Sequence, residues 1–160
     1  MGKRSTRENK SRLQISREEA GLTREKASEL MEYISDDRID KIERGVLEAR
    51  PEEIVTMSEC YKDPELCNYY CSHECPIGRK YIPEVKLKEL SQITLEMLAN
   101  LNSMEQEKNR LIEITVDGEI SSDEKDDFKK IREKLDSIAL SVNSLKMWVE
   151  HATNKGLMDE

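Results

Sequence analysis

The sequence predicts an all-α protein, and three observations carry that prediction. Apolar residues return at intervals of three and four along most of the chain, glycine, serine and proline punctuate these runs, and strand-type alternation is nearly absent. The 160 residues are 36% hydrophobic and 38% charged, which fits one ordinary domain or two small modules and leaves little room for a large enzyme. No apolar run has membrane-spanning length and no signal-peptide core is present, so the expectation is a cytoplasmic protein with no membrane partner.

The order of elements begins with a basic, flexible arm at 1–9. Within the first 17 residues Lys3, Arg4, Arg7, Lys10, Arg12 and Arg17 face Glu8 alone, a distribution suited to a phosphate backbone and also common in charged termini. Through Arg50 there are 12 Lys and Arg against 11 Asp and Glu, so of the net −8 the remainder carries −9. An acidic total therefore does not describe the N-terminal part.

Residues 10–62 read as four short helices. Leu13, Ser16 and Ala20 share one helical face that stops at Gly21. Thr23 suits the cap of a helix over Arg24 to Met31 with Ala27, Leu30 and Met31 inward. Ser35 suits the cap of a third helix in which Ile39 and Ile42 are buried and Asp36 and Asp37 favour the first turn, with Gly45 ending it. Pro51 starts a fourth helix to Tyr61 with Ile54, Val55 and Met57 as core. A cysteine-containing connector follows at 63–82. Two long patterns, 84–114 and 122–153, then form an antiparallel helical hairpin within 83–154 through a turn near Asp117 and Gly118, leaving a tail at 155–160.

The stretches REEAGLTREKASEL, ISDDRIDKIERG and RPEEIVTM, over roughly residues 10–62, resemble the lambda-repressor-like, xenobiotic-response-element type of helix-turn-helix domain. The resemblance implies that Thr23 caps the first helix of the motif, that Ala27 sits where its helices cross, and that Ile34, Ile39 and Ile42 are core. Glu43 and Gly45 match the family's Glu-x-Gly ending. It further implies a transcriptional regulator that binds double-stranded DNA, commonly as a dimer. The family's base-reading positions fall on Arg24, Asp36, Asp37, Arg38, Asp40 and Lys41, with Arg44 extending the basic strip. Carboxylates are poor company for phosphate, although an aspartate can accept from cytosine N4. The stretch Met31-Glu32-Tyr33-Ile34 is one residue longer than the family's usual tight turn and lacks its glycine. The alternative is a protein-interaction adaptor whose acidic third helix no longer reads DNA.

All four cysteines, Cys60, Cys67, Cys71 and Cys75, fall within one short segment that also holds His73. Thiolates in an otherwise Cys-free chain raise a structural zinc, with His73 as an alternative ligand, and more remotely an iron–sulfur cluster. In an unbroken helix Cys67, Cys71 and Cys75 would spread over about 12 Å, too far for ligands at about 2.3 Å from one ion. A metal therefore requires a break near Cys71 to Cys75, which Ser72 and Pro76 favour. A reduced apolar core and a disulfide are the other readings.

In the second long segment Phe128, Ile131, Leu135, Ile138, Val142, Leu145, Val149 and Ala152 repeat as a coiled-coil seam. Spare apolar residues there and at Leu95 and Leu98 favour either a homodimer or cover for the chain's own N-terminal module. The linker EITVDGEISSDE only partly follows a calcium loop, since Glu113 and Thr115 replace liganding residues, and a glycine turn with a serine cap accounts for it. No glycine-rich phosphate loop and no oriented thiol–base pair is legible around His73, while His151 suits a helix C-terminus, so a non-enzymatic protein is expected.

Overall fold

The computed structural model describes residues 9–116 and 118–158, Gln106 by its backbone alone. Residues 1–8 of the expected arm, with Lys3, Arg4 and Arg7, and Asp117 of the expected turn lie outside the described residues. Every regular element among those described is helical. The chain divides into two compact units, Met1–Glu84 with Glu150–Glu160, and Val85–Val149.

In the first unit, α1 (Arg12–Glu19), α2 (Arg24–Met31), α3 (Asp36–Glu43) and α4 (Pro51–Tyr61) each begin where the sequence offers a cap. The Thr23 hydroxyl accepts from the Lys26 amide and the Ser35 hydroxyl from the Arg38 amide, both at 3.2 Å. Such a cap contributes about 1 kcal/mol. At the start of α4 the Glu53 carboxylate accepts from the Arg50 amide at 2.8 Å. Gly21 and Gly45 end α1 and α3 at φ +73° and +69°, a conformation that costs a side chain dearly.

One core gathers Leu13, Ala27, Met31, Ile34, Ile39, Ile42, Ile54, Met57 and Tyr61. Leu30 and Val55, expected inside, are 55% and 48% exposed, and Ala20 is exposed too. The reason is stripe width. On so short a helix Ala27 and Met31 define the inward line of α2, and Ile54, Met57 and Tyr61 define that of α4, which turns Leu30 and Val55 aside.

The segment expected as a connector at 63–82 packs into this unit. Its α5 (Glu65–Tyr69) places Leu66 in the core, 1% exposed, and Arg12 pairs with Asp63 at 2.7 Å and Glu65 at 2.9 Å. The helix then widens into a single π turn, Tyr70–Glu74, closed by the Cys75 amide donating to the Tyr70 carbonyl at 3.0 Å. A short α6 (Gly78–Tyr81) folds back onto it so closely that a β-carbon on Gly78 would lie 2.0 Å from the Cys71 carbonyl oxygen.

In the second unit α7 (Leu90–Thr115) begins later than the helix expected from Pro83, and residues 82–89 have no regular structure. Charged Glu84, Lys86 and Lys88 alternate there with Val85 and Leu87, a period-two pattern that a helix would scatter around its surface. Just ahead of the helix, the Lys88 ammonium holds both oxygens of Glu96 at 2.9 and 2.7 Å. The following α8 (Lys125–Asn154), which belongs to this unit through Val149, is preceded by Ser121, whose amide donates to the Glu124 carboxylate at 3.0 Å.

Cross-helix partners set the direction of this pair. Arg110 meets Asp127 at 3.0 Å, Glu107 meets Lys134 at 2.8 Å, and Asn100 donates to Ser141 at 2.8 Å, so numbers rise on α8 as they fall on α7 and the helices run antiparallel. Ile93, Ile114 and Ile131 are buried to 1% exposure or less. The expected α8 seam is only half covered, because Leu135, Val142 and Val149 are 44%, 37% and 39% exposed. A single neighbouring helix covers one flank of a seven-residue pattern, not both.

Candidate functional site

The expected contact residues lie on α2, α3 and the turn after α3, and each cation there meets a carboxylate. Arg24 donates to Glu43 at 2.8 Å and pairs with Asp40 at 3.1 Å. Arg38 holds both oxygens of Glu53, at 2.9 and 2.8 Å, and donates to the Glu48 carbonyl at 3.0 Å. Lys41 pairs with Asp37 at 2.6 Å and Arg44 with Asp40 at 3.2 Å, both one helical turn apart. Asp40 thus brings Arg24 and Arg44 together, whereas Arg38 stands apart as a strut from α3 to the following loop and α4. Lys10 is also paired, with Glu18 at 2.6 Å.

Arg17, counted above with the basic arm, belongs to the interior. Its guanidinium meets Glu43 at 2.6 and 3.0 Å and the Leu22 carbonyl at 2.6 Å, with 6% of its side chain exposed and 1% of that of Glu43. Burial opposes the Arg17 charge, but the hydrogen bond and charge of Glu43 outweigh it and hold its pKa above the ordinary value. Glu43 therefore ties α1, α2 and α3 together by receiving Arg17 and Arg24 at once. The available signal was positional: Arg17 lies four residues after Leu13, on the buried face of α1.

Asp37 and Lys41 on α3 and Arg44 just past its end form an outward row with side chains 70%, 44% and 50% accessible, and Asp36 at the start of α3 is exposed as well. Beside the C-terminal end of α3 a concavity of about 550 Å³ is lined by Lys10, Ser11, Ile15, Arg44 and Gly45 among others. In the first turn of α4, Glu53 is held below the ordinary carboxylate range, first by the Arg38 hydrogen bond and against a smaller opposing effect of burial.

The cysteines do not converge. Cys60 lies on α4, Cys67 on α5, Cys71 in the π turn and Cys75 just past it, and all four are free and half-buried. The break near Cys71 to Cys75 is present, yet among the described residues no group of three or more His, Cys, Asp or Glu side chains is placed to hold a metal ion. Burial pushes the Cys60 and Cys67 thiols up. His73 stacks on Tyr69 with ring centroids 4.4 Å apart, and its Nδ1 lies 3.1 Å from the Tyr69 carbonyl oxygen. No helix among the described residues is long and apolar enough to cross a membrane.

No protein-family model, curated protein or solved structure matches the chain.

Proposed function

We propose that this chain is a DNA-binding transcriptional regulator in which α2 and α3 form a helix-turn-helix, α3 reads the major groove, and the helices α7 and α8 form a hairpin that joins two copies. The observation that carries the reading is the exposed row on α3. Asp37, Lys41 and Arg44 recur at four and three residues on a helix capped by Ser35 and anchored inward by Ile39 and Ile42. Their ion pairs join neighbouring turns on the surface, where such pairs are worth about 0.3–0.5 kcal/mol. Phosphate oxygens and base edges can take Lys41 and Arg44 at small cost, and Asp37 can accept from cytosine N4. Arg24 and Arg38 then serve chiefly to position α3, since their carboxylate partners Glu43 and Glu53 are largely buried.

One observation favours the adaptor reading instead: every cation of the proposed surface is already paired within the chain, and Asp36, Asp37 and Asp40 crowd it. Selection from a randomised duplex pool at low and moderate salt decides between them. Enrichment of a twofold-symmetric sequence with half-sites about 34 Å apart, lost in Lys41→Ala/Arg44→Ala while the helical spectrum is unchanged, supports the regulator. Failure to bind any duplex at low salt overturns it. A zinc held by Cys60, Cys67, Cys71 and Cys75 is no part of this proposal.

A further inference from the structure

Along one side of the pair α7 and α8 runs a row of exposed apolar side chains whose location follows from the seam, while Leu95 and Leu98, 69% and 53% exposed, lie on the back of α7 outside that row. Asn100 contacts Ser141, and Lys134 contacts Glu107, so these residues mark the lines along which the helices face each other. Leu101 comes one residue after Asn100, while Leu135 and Val142 come one residue after Lys134 and Ser141. One residue is a rotation of about 100° in an α-helix. In two antiparallel right-handed helices that step swings both sets to the same side of the pair. Ile112 lies further round the same flank of α7, and Val149 continues the row of α8 seven residues beyond Val142. These five side chains are between 37% and 57% exposed.

We infer that this side is the contact surface for a second copy of the chain, giving a four-helix bundle from two antiparallel pairs. The inference takes up the dimeric part of the preceding reading and not its DNA-binding part. Three features select a second copy as the occupant. Leu135, Val142 and Val149 keep a strict seven-residue repeat, which stays in register with a supercoiled helix and drifts on other surfaces. The 26 residues of α7 span about 39 Å, and two helices side by side about 20 Å. That face offers about 800 Å² per copy, the half-share of a stable protein–protein interface. Finally, the apolar row of α7 is interrupted by the ion pair of Glu105 and Lys108, one carboxylate and one ammonium a single turn apart. Under a twofold axis, Glu105 of one copy is offered the Lys108 of the other, so the interruption is self-complementary.

Sedimentation equilibrium of the full chain without DNA tests the surface. The wild type is expected to sediment as a dimer at 10 μM, and Leu135→Glu/Val142→Glu to weaken association at least 100-fold with its helical spectrum retained. Asp136→Asn, off the proposed face, is expected to leave association unchanged. Glu105→Lys and Lys108→Glu each place like charges across the axis, so each alone should associate at least tenfold more weakly. An equimolar mixture of the two should recover a heterodimer. A wild type that stays monomeric at 100 μM overturns the dimer and the surface together. A dimer indifferent to the Leu135/Val142 double variant, or charge variants that do not rescue one another, overturns the surface alone. Neither outcome bears on duplex binding.

Discussion

The first unit and the helical pair spend their apolar residues differently. Around α1 to α5, eleven buried hydrophobic residues from every element close one core, and the charged groups that enter it, Arg17 and Glu43, satisfy each other there. In the pair, full burial is confined to scattered positions such as Ile93, Ile114 and Ile131, while leucines and valines on one flank face outward. Both are made of amphipathic helices. The difference teaches that burial depends on how many neighbours a helix has: several short helices cover one another, whereas two long ones cover only the line between them.

All five tyrosines lie in residues 1–84 and the single tryptophan, Trp148, in 85–149, so the two units can be followed separately in one unfolding experiment. The largest expected effect is on the closed core. Glu43→Ala leaves Arg17 buried without its counter-charge, and loss of one partner from a buried ion pair costs about 3–5 kcal/mol. The tyrosine transition in urea should move to lower denaturant by a corresponding amount while that of Trp148 moves little. Equal shifts of both signals would erase the distinction between a self-sufficient unit and its neighbour.

Next in size is Gly78→Ala. The added carbon would meet the Cys71 carbonyl oxygen at 2.0 Å, and backbone rather than a flexible side chain must give way. Overpacking of this kind costs about 1–3 kcal/mol. The loss should again appear in the tyrosine signal, because Tyr70 opens the π turn and Tyr69 precedes it, and alkylation of Cys71 and Cys75 should accelerate as that turn loosens. A neutral outcome would mean that the π turn and α6 are not part of the closed core.

Much of this contrast was legible in the residues themselves. Thr23, Ser35, Pro51, Gly21 and Gly45 announce the ends of the short helices because capping and positive φ are local demands met by local chemistry. A row of charges says nothing about which member turns inward, so the interior place of Arg17 is legible only with Glu43, 26 residues away. The late start of α7 and the half-covered row on α8 were hidden for the same reason. A heptad pattern declares that a face wants cover, and only the number of neighbouring helices determines whether it receives any. Among the expected contact residues, the sequence placed Lys41 and Arg44 on a surface, but the commitment of Arg38 to Glu53 and Glu48 depends on the path of the loop before α4.

Acidity should separate the units further. The Glu53 carboxyl titrates below its ordinary value because Arg38 donates to it, so its folded pKa is lower than its unfolded one. The stabilisation is therefore complete above the unfolded value of about 4.3 and is lost as pH falls through the folded value. Thermal unfolding followed through tyrosine should show wild type above Arg38→Met near pH 6, with the gap closing as pH drops below 4. A gap that is constant across that range would mean that Arg38 acts through packing and not through the charge of Glu53.

The smallest effect has the opposite sign. Among the described residues the non-glycine positions with positive φ are Glu32 and Lys62, and both belong to the first unit. Glu32 is the more unusual, with φ 60° and ψ −48°, and the Tyr33 amide donates across it to the Met31 carbonyl at 2.6 Å. This is the rare γ-turn of positive φ, strained for any residue with a β-carbon. The strain persists because Met31 and Ile34, on either side, are 3% and 1% exposed and fix both ends of the turn. Glycine lacks the clash but brings a more flexible unfolded chain, so Glu32→Gly should stabilise the unit by about 1 kcal/mol. Glu32→Ala keeps the β-carbon and removes only the exposed carboxylate, so it should gain little. If both variants stabilise equally, the benefit comes from removing charge. If glycine alone does so, the closed core of the first unit holds a backbone conformation that its own sequence disfavours, a load for which the two-helix unit, with its single seam, shows no counterpart among the described residues.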